Sequence, residues 1–310
     1  MIAKSRFAIE IERIVAMRQL GALDMTVTPV MNALIRSFAN DEKVFVQLEK
    51  VSDKGNEQID KAVKIETENG TELLFGANRW KMINGMFVIP VFSAKEELVD
   101  CEAYAHFPLG DIASFWCGEG FYGLYLNPVS DKSLILTQTL LKKAKKEKLT
   151  SSFSSVLSDD SKVKADAIVR VTDALDSESS LNEVRIVPSS DASIADYFIY
   201  CEISNIEIEH IADCYLACLS SAVDHDCVSI VFPMPQSVTD ALFKTGVGAL
   251  LQKMKTYVAK MPSGKAIDIY FCCDTTDAKG VVDDAIKGKG CDDFTAMEGI
   301  YDLEKAKDRE

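Results

Sequence analysis

The sequence is poor in the devices that announce chemistry. It holds no Walker-type Gly-x-x-x-x-Gly-Lys and no Gly-x-Ser-x-Gly nucleophile elbow. Histidine is down to three residues, and the nine cysteines are odd in number, unevenly spaced and without a Cys-x-x-Cys pair. That pattern gives no disulfide framework and reads as reduced, buried thiols of a cytoplasmic protein. No run approaches eighteen apolar residues, which excludes a membrane-spanning helix. The opening segment MIAKSRFAIEIERIVAMRQLG has Glu10, Glu12, Arg13 and Arg18 inside its apolar stretch. It therefore lacks the unbroken core of a secretion signal.

What is present is globular. The 310 residues are 47% hydrophobic and 26% charged, enough for two cores. Net charge is −14, and it is unevenly spread: residues 1–164 carry 21 basic and 22 acidic groups, the remainder 13 and 26. The second half therefore offers no basic face for nucleic acid or an anionic membrane.

Residues 28–38, TPVMNALIRSF, have the cap, first-turn proline and apolar stripe of a helix. KVFVQLEKV alternates as a strand; Asn69-Gly70 and Asn84-Gly85 mark two hairpins. Pro90 is expected at a strand end. Ser93 and Glu96 are expected to form a capping box. LGDIASFWCG suggests a helix, FYGLYLNPV a strand closed by Asn127-Pro128, and SLILTQTLLKKAKKEK a strand and a basic-ended helix. The lysines of 142–148 have no interleaved aromatics and read as a solvated helix end. LTSSFSSVLSDDSKVK, rich in Ser, Lys and Asp, reads as a linker. Thereafter DAIVRV, EVRIV, YFIYCEI, CVSIVF and AIDIYFCC alternate with helical periods, the pattern of a three-layer α/β/α domain. The expected organisation is an α+β domain at 1–148, a linker at 149–164 and an α/β domain at 165–310.

Two resemblances follow. VFVQL, GMFVIPVFSAKEELVD and GFYGLYLNPVSDKSLIL resemble the N-terminal domain of the SseB-like family of bacterial proteins. The resemblance covers about 44–141 and implies a fold without established chemistry. DSKVKADAIVRVTDAL and IEHIADCYLACLSSAVDHDCVSIVFP resemble a macrodomain, the α/β module that commonly binds ADP-ribose. By that resemblance the adenine-reading carboxylate falls on Asp159, the two asparagines that open and close the family's Asn-Ala-Ala-Asn fall on Arg170 and Asp173, and the second phosphate loop becomes Pro235-Gln236-Ser237-Val238. LDSESSLNEVRIVPSSD, where the first phosphate loop belongs, has no glycine and adds Asp176 and Glu178. Amide cradles for phosphate need glycine, because a Cβ would block the converging N–H groups. The resemblance thus implies a macrodomain-like fold that has lost its phosphate-binding loops.

Other constellations are weaker. His210, Cys214 and Cys218 recur every four residues, but the first and last are about 12 Å apart along a helix, so the core-stripe reading outweighs zinc. Cys272-Cys273 should face opposite sides of a strand. His225-Asp226 reads as a polar turn. Trp80, Trp116, Phe121 and Tyr122 are either core or a partner patch. The expectation is a non-enzymatic cytoplasmic protein for protein–protein recognition or regulation, with an unknown protein partner, no catalytic residue, no metal and no cofactor. The rival is an ADP-ribose-type ligand in a rearranged pocket anchored by Asp159, with Arg170, Asp173 and Ser237 as the remaining positions.

Overall fold

The computed structural model describes residues 5–22, 27–50, 63–66, 72–98, 103–115, 120–130, 133–158, 162–172, 184–202, 208–234 and 241–288. The fold is α/β, and the chain divides into two compact units: residues 1–15 with 30–148, and residues 16–29 with 149–310.

Two helices open the chain, α1 (Arg6–Gln19) and α2 (Val27–Ala39). The sequence reading did not identify α1. Its charges, which speak against a signal peptide, are built into the first core: Glu10 is only 5% exposed, and Arg36 of α2 reaches its Oε2 with Nε at 3.1 Å and Nη2 at 2.9 Å. A buried carboxylate persists only with such a partner. Around it, Phe7, Ile11, Ile14 and Val15 form the buried stripe.

The first sheet holds β1 (Lys43–Lys50), β2 (Val63–Glu66), β3 (Glu72–Ala77), β4 (Trp80–Lys81), β5 (Phe87–Phe92) and β6 (Ala103–Pro108). After α3 (Leu109–Phe115) come β7 (Phe121–Leu126), β8 (Leu134–Thr137) and α4 (Gln138–Ala144). The order is β2-β3-β1-β5-β7-β8, with β4 on β5 and β6 on β1; only β5 and β7 run parallel. Val44, Val46, Leu48, Ile89, Val91, Leu124 and Leu126 share the core with Phe7, Ile11 and Leu34. At the Asn84-Gly85 turn Gly85 has φ 83°, and Asn84 Oδ1 accepts from the Met86 amide at 3.1 Å. The Asn69-Gly70 turn lies outside the described residues.

Two expectations need correction. Pro90 is inside β5, not at its end. It sits where the partner of β5 changes from β4, paired at 87–88, to β1, paired at 91–92, so its missing N–H falls between two ladders. The box at Ser93 is closed by Glu97, not Glu96: Glu97 Oε2 accepts from Ser93 Oγ at 2.7 Å and from the Ser93 and Ala94 amides at 3.2 Å. Only one 3-10 turn, Lys95–Glu97, forms there.

The second unit's sheet comprises β9 (Ser152–Leu157), β10 (Ala167–Thr172), β11 (Val184–Pro188), β12 (Tyr197–Glu202), β13 (Ser229–Pro233) and β14 (Asp268–Cys273). Its helices are α5 (Ile208–Asp224), α6 (Ala241–Ala259) and α7 (Thr276–Ile286). The order is β11-β12-β10-β13-β14-β9, parallel throughout except for β11. The segment read as a linker from its serines contains β9. Ser152, Ser154 and Ser155 are each 3% exposed, and Ser152 Oγ donates to the buried Asp268 at 2.7 Å.

Helices α5, α6 and α7 all pack on one face, over Val169, Ile199, Ile230, Phe232, Ile269 and Phe271. The other face presents Val156, Ile168, Val231, Tyr270 and Cys272. It is covered by Met17, Leu20 and Ala22 together with Val163, Ala165 and Ala195. The Leu20 carbonyl also accepts from the Leu157 amide at 3.0 Å. Among the described residues this face is thus covered in part by the start of the chain.

Two outcomes follow from this architecture. Trypsin should cut at the exposed Lys145, Lys146 and Lys148 and spare β9. The nicked halves should stay associated on native size exclusion, because residues 16–22 remain in their own core, and a separate 149–310 fragment should bind a hydrophobic dye that the intact chain does not. Gly123→Ala should cost about 2–4 kcal/mol in urea unfolding. The added Cβ would stand 2.3 Å from the Leu136 carbonyl oxygen and 2.9 Å from Thr137 Cα, so β8 would have to move.

Candidate functional site

Parallel α/β sheets bind ligands beyond the carboxyl ends of their strands, where the strand order reverses. Here that switch lies between β10 and β13. The chain leaves β10 toward β11 and β12, and leaves β13 toward β14. Their carboxyl ends are Thr172 and Pro233. The buried Tyr215 of α5 holds the second end by donating its hydroxyl to the Pro233 carbonyl.

Three of the four site positions expected from sequence follow these strands and β9: Asp159, Asp173 and Ser237. All three lie outside the described residues. Arg170 is within β10, half-buried, with its guanidinium 5.4 Å from the Phe198 ring centroid. Phe198 pairs with Ile168, two residue pairs from Arg170 in the β10–β12 register. This contact gives Arg170 a cation–π partner on the sheet itself, on the face opposite α5. Thr172 closes the strand, and its Oγ1 is buried without a hydrogen-bond partner.

The described cysteines are packing residues. Cys201, Cys214, Cys218, Cys227, Cys272 and Cys273 are free and buried. Burial pushes the Cys214 thiol up to about 11 and the Cys273 thiol up to about 12. Cys214 and Cys218 sit in the core, as the stripe reading expects; the His210 side chain lies outside the described residues. Among the described residues no group of three His, Cys, Asp or Glu side chains has metal-holding geometry. Cys272 and Cys273 do face opposite sides of the sheet.

His225-Asp226 is a turn rather than a dyad. His225 Nδ1 lies 2.8 Å from the Ser221 carbonyl oxygen, and Asp226, at φ 56°, pairs with Lys265 at 3.1 Å. Of the four aromatics, Phe121 is core, Trp80 meets Tyr125 edge-on at 6.2 Å, Tyr122 is half-buried, and Trp116 lies outside the described residues.

Three features escaped the sequence reading. Gly118-Glu119-Gly120-Phe121-Tyr122-Gly123 spells Gly-x-Gly-x-x-Gly, but it leads into β7 instead of leaving a strand to open a helix. It is therefore no dinucleotide fingerprint. Ser155 Oγ donates to Asp283 Oδ1, whose Oδ2 pairs with Lys279 at 2.8 Å, tying edge strand β9 to α7. On β6, Tyr104 and His106 are exposed, with His106 stacked on Phe45 at 4.5 Å. The first could be read directly from the sequence, whereas the other two have no signature beyond the strand alternation of AYAHFP.

The thiol environment fixes a pH dependence. With Cys273 near 12 folded and 9.0 as its ordinary value, the folded state holds the proton more tightly. Its contribution is complete below pH 9 and is lost as pH rises toward 12. Wild type should therefore lose more stability than Cys273→Ala between those limits in urea titrations at matched pH. Equal losses would place the thiol in water.

No protein-family description matches the chain, and no curated protein sequence does. Solved structures with partial likeness are macrodomains. One from Trypanosoma brucei, in complex with ADP, is 12% identical with TM-score 0.35 over 44% of this chain and 69% of that one. One from Oceanobacillus iheyensis is 13% identical with TM-score 0.34 over 46% and 93%. The macro domain of ganglioside induced differentiation associated protein 2 is 10% identical with TM-score 0.33 over 43% and 81%. No helix among the described residues is long and apolar enough to cross a membrane.

Proposed function

We propose that this chain is a non-enzymatic cytoplasmic recognition or regulatory protein, an SseB-like unit joined to a macrodomain-like unit whose phosphate loops are gone. One observation carries the reading. The segments that follow β10 and β13 at the switch point, 173–183 and 235–240, contain no glycine. The first brings Asp173, Asp176, Glu178 and Glu183 with no basic residue. A diphosphate there would meet carboxylates in place of converging amides.

The engagement of Arg170 with Phe198 supports the same conclusion, since the strand's one cation is directed onto an aromatic ring. For the first unit, support comes from the two longer of the three segments that carry the resemblance. They fall on adjacent strands, and Asn127 and Ser93 join them through two hydrogen bonds of 2.9 Å. These positions build backbone and offer no reactive group. The exposed Tyr104 on β6 is of a type that anchors protein contacts.

The rival reading, an ADP-ribose-type ligand, has the Thr172 hydroxyl in its favour: a buried oxygen without a partner at the end of β10. The two are separated by titrating the full chain with ADP-ribose. A ligand at a hundredfold excess over Kd stabilises by about 2.7 kcal/mol. We expect no change in melting temperature up to millimolar ADP-ribose. Micromolar affinity by calorimetry, abolished by Asp159→Ala, would install the rival.

A further inference from the structure

We propose that the hairpin joining β4 to β5 docks this chain on an anionic lipid surface. Ile83 at its tip enters the boundary between headgroups and acyl chains, and Arg79 and Lys81 meet the lipid phosphates. The tip is built to hold its shape. Trp80 and Lys81 pair with Val88 and Phe87, and the Met82 amide donates to the Met86 carbonyl at 2.8 Å. The Gly85 amide donates to the Met82 carbonyl at 3.0 Å, Asn84 Oδ1 accepts from the Met86 amide, and Gly85 supplies the positive φ. This is a three-residue hairpin loop with its glycine in the left-handed position.

Nothing in that geometry asks for an isoleucine. Turn positions favour Gly, Pro, Asn, Asp and Ser for reasons of backbone conformation, and Asn84 and Gly85 already meet them. No core asks for it either. Val27 and Val129, the next most exposed large apolar side chains among the described residues, reach 62%, against 109% for Ile83. Met82 and Met86 stand half-buried beside it. The three side chains form an apolar tip rather than one scattered residue.

The groups behind the tip select the occupant. Residues 79–92, RWKMINGMFVIPVF, hold two cations and no acidic residue, in a chain of net charge −14. Lys81 is exposed, two residues and about 7 Å behind Ile83 at the rise of a strand. Arg79 carries its guanidinium 4.6 Å from the Phe87 ring centroid. Between them, Trp80 is half-buried and meets Tyr125 edge-on at 6.2 Å. An apolar tip followed by tryptophan and cations repeats the order of groups met on passing from acyl chains to headgroups. A stable protein interface takes about 800 Å² from each partner, more than a loop of this size presents, whereas a lipid surface receives a narrow convex tip. Charges farther than about 8 Å are largely screened at physiological ionic strength, so attraction at the surface is set by the groups beside it.

The test is sedimentation of the full-length chain with vesicles of phosphatidylcholine mixed with phosphatidylglycerol, against vesicles of phosphatidylcholine alone. The chain should pellet with the mixed vesicles and stay in solution with the neutral ones, and added salt should release it. Ile83→Ser should raise the lipid concentration for half-binding at least about tenfold, and Lys81→Ala about fivefold. Val129→Ser, at another exposed apolar residue of the same unit, should bind as wild type does. Ile83→Ser should melt at the wild-type temperature; should it melt lower, Lys81→Ala decides in its place. No pelleting with the mixed vesicles, equal pelleting with the neutral ones, or unaltered binding of both hairpin variants overturns the proposal. Capture of a protein through the hairpin without vesicle binding overturns it as well.

Discussion

A sheet of parallel strands has two apolar faces, and both must be covered. That requirement organises the second unit. With α5, α6 and α7 all on one side, five parallel strands would leave Val156, Ile168, Val231, Tyr270 and Cys272 against water. Burial of side chains of this size is worth about 1.5–3 kcal/mol each. Among the described residues that face is covered by Met17, Leu20 and Ala22 with Val163, Ala165 and Ala195, and residues 16–29 accordingly belong to this unit despite lying at the far end of the sequence. The polar counterpart lies at the amino ends of the strands. Asp166 is 1% exposed and accepts from the Val228 amide at 2.6 Å, and Asp268 accepts from Ser152. These carboxylates fix strand register without facing solvent.

Much of this was legible, for physical reasons that differ by element. Period-two alternation and the Asn84-Gly85 turn disclosed strands of the first sheet, and near-continuous apolar runs disclosed β10 and β13. Two elements were hidden by their polar residues. In β9 the serines suggest solvent, yet Ser152 and Ser155 are buried against Asp268 and Asp283, partners more than a hundred residues away. In α1 the charges suggest a surface, yet Glu10 is matched by Arg36 from α2. Composition reports what a side chain costs to bury, and only the fold reveals which partner offsets that cost. The same limit applies to Arg170: spacing marks its position on the strand, but only the tertiary arrangement reveals Phe198 as its neighbour.

In the first unit the distinctive residues act on the backbone. Asn127 has φ 47°, a conformation asparagine tolerates better than most residues. In that conformation its amide accepts from the Ser93 N–H and donates to the Ser93 hydroxyl, while Ser93 donates to Glu97. The parallel strands β5 and β7 are thereby pinned at one end. At β8, the backbone approaches Gly123 so closely that no side chain fits. Pro90, Ser93, Gly123 and Asn127 are each explained by backbone geometry.

The balance at the switch point of the second unit then rests on charge and backbone chemistry together. An anion is held at strand ends by amides free to converge and by a positive local field. Segment 173–183 supplies four carboxylates and no glycine, and the nearby cation, Arg170, lies over an aromatic ring. A neutral ligand escapes the first objection. It would still have to reach the Thr172 hydroxyl, the one described oxygen at the end of β10 without a partner. One neutral hydrogen bond contributes about 0.5–1.5 kcal/mol net, whereas micromolar binding needs about 8 kcal/mol. Among the described residues the switch point offers one unpartnered hydroxyl and a cation turned onto a ring, while by composition the segments that follow it bring carboxylates where an anion site would need glycine.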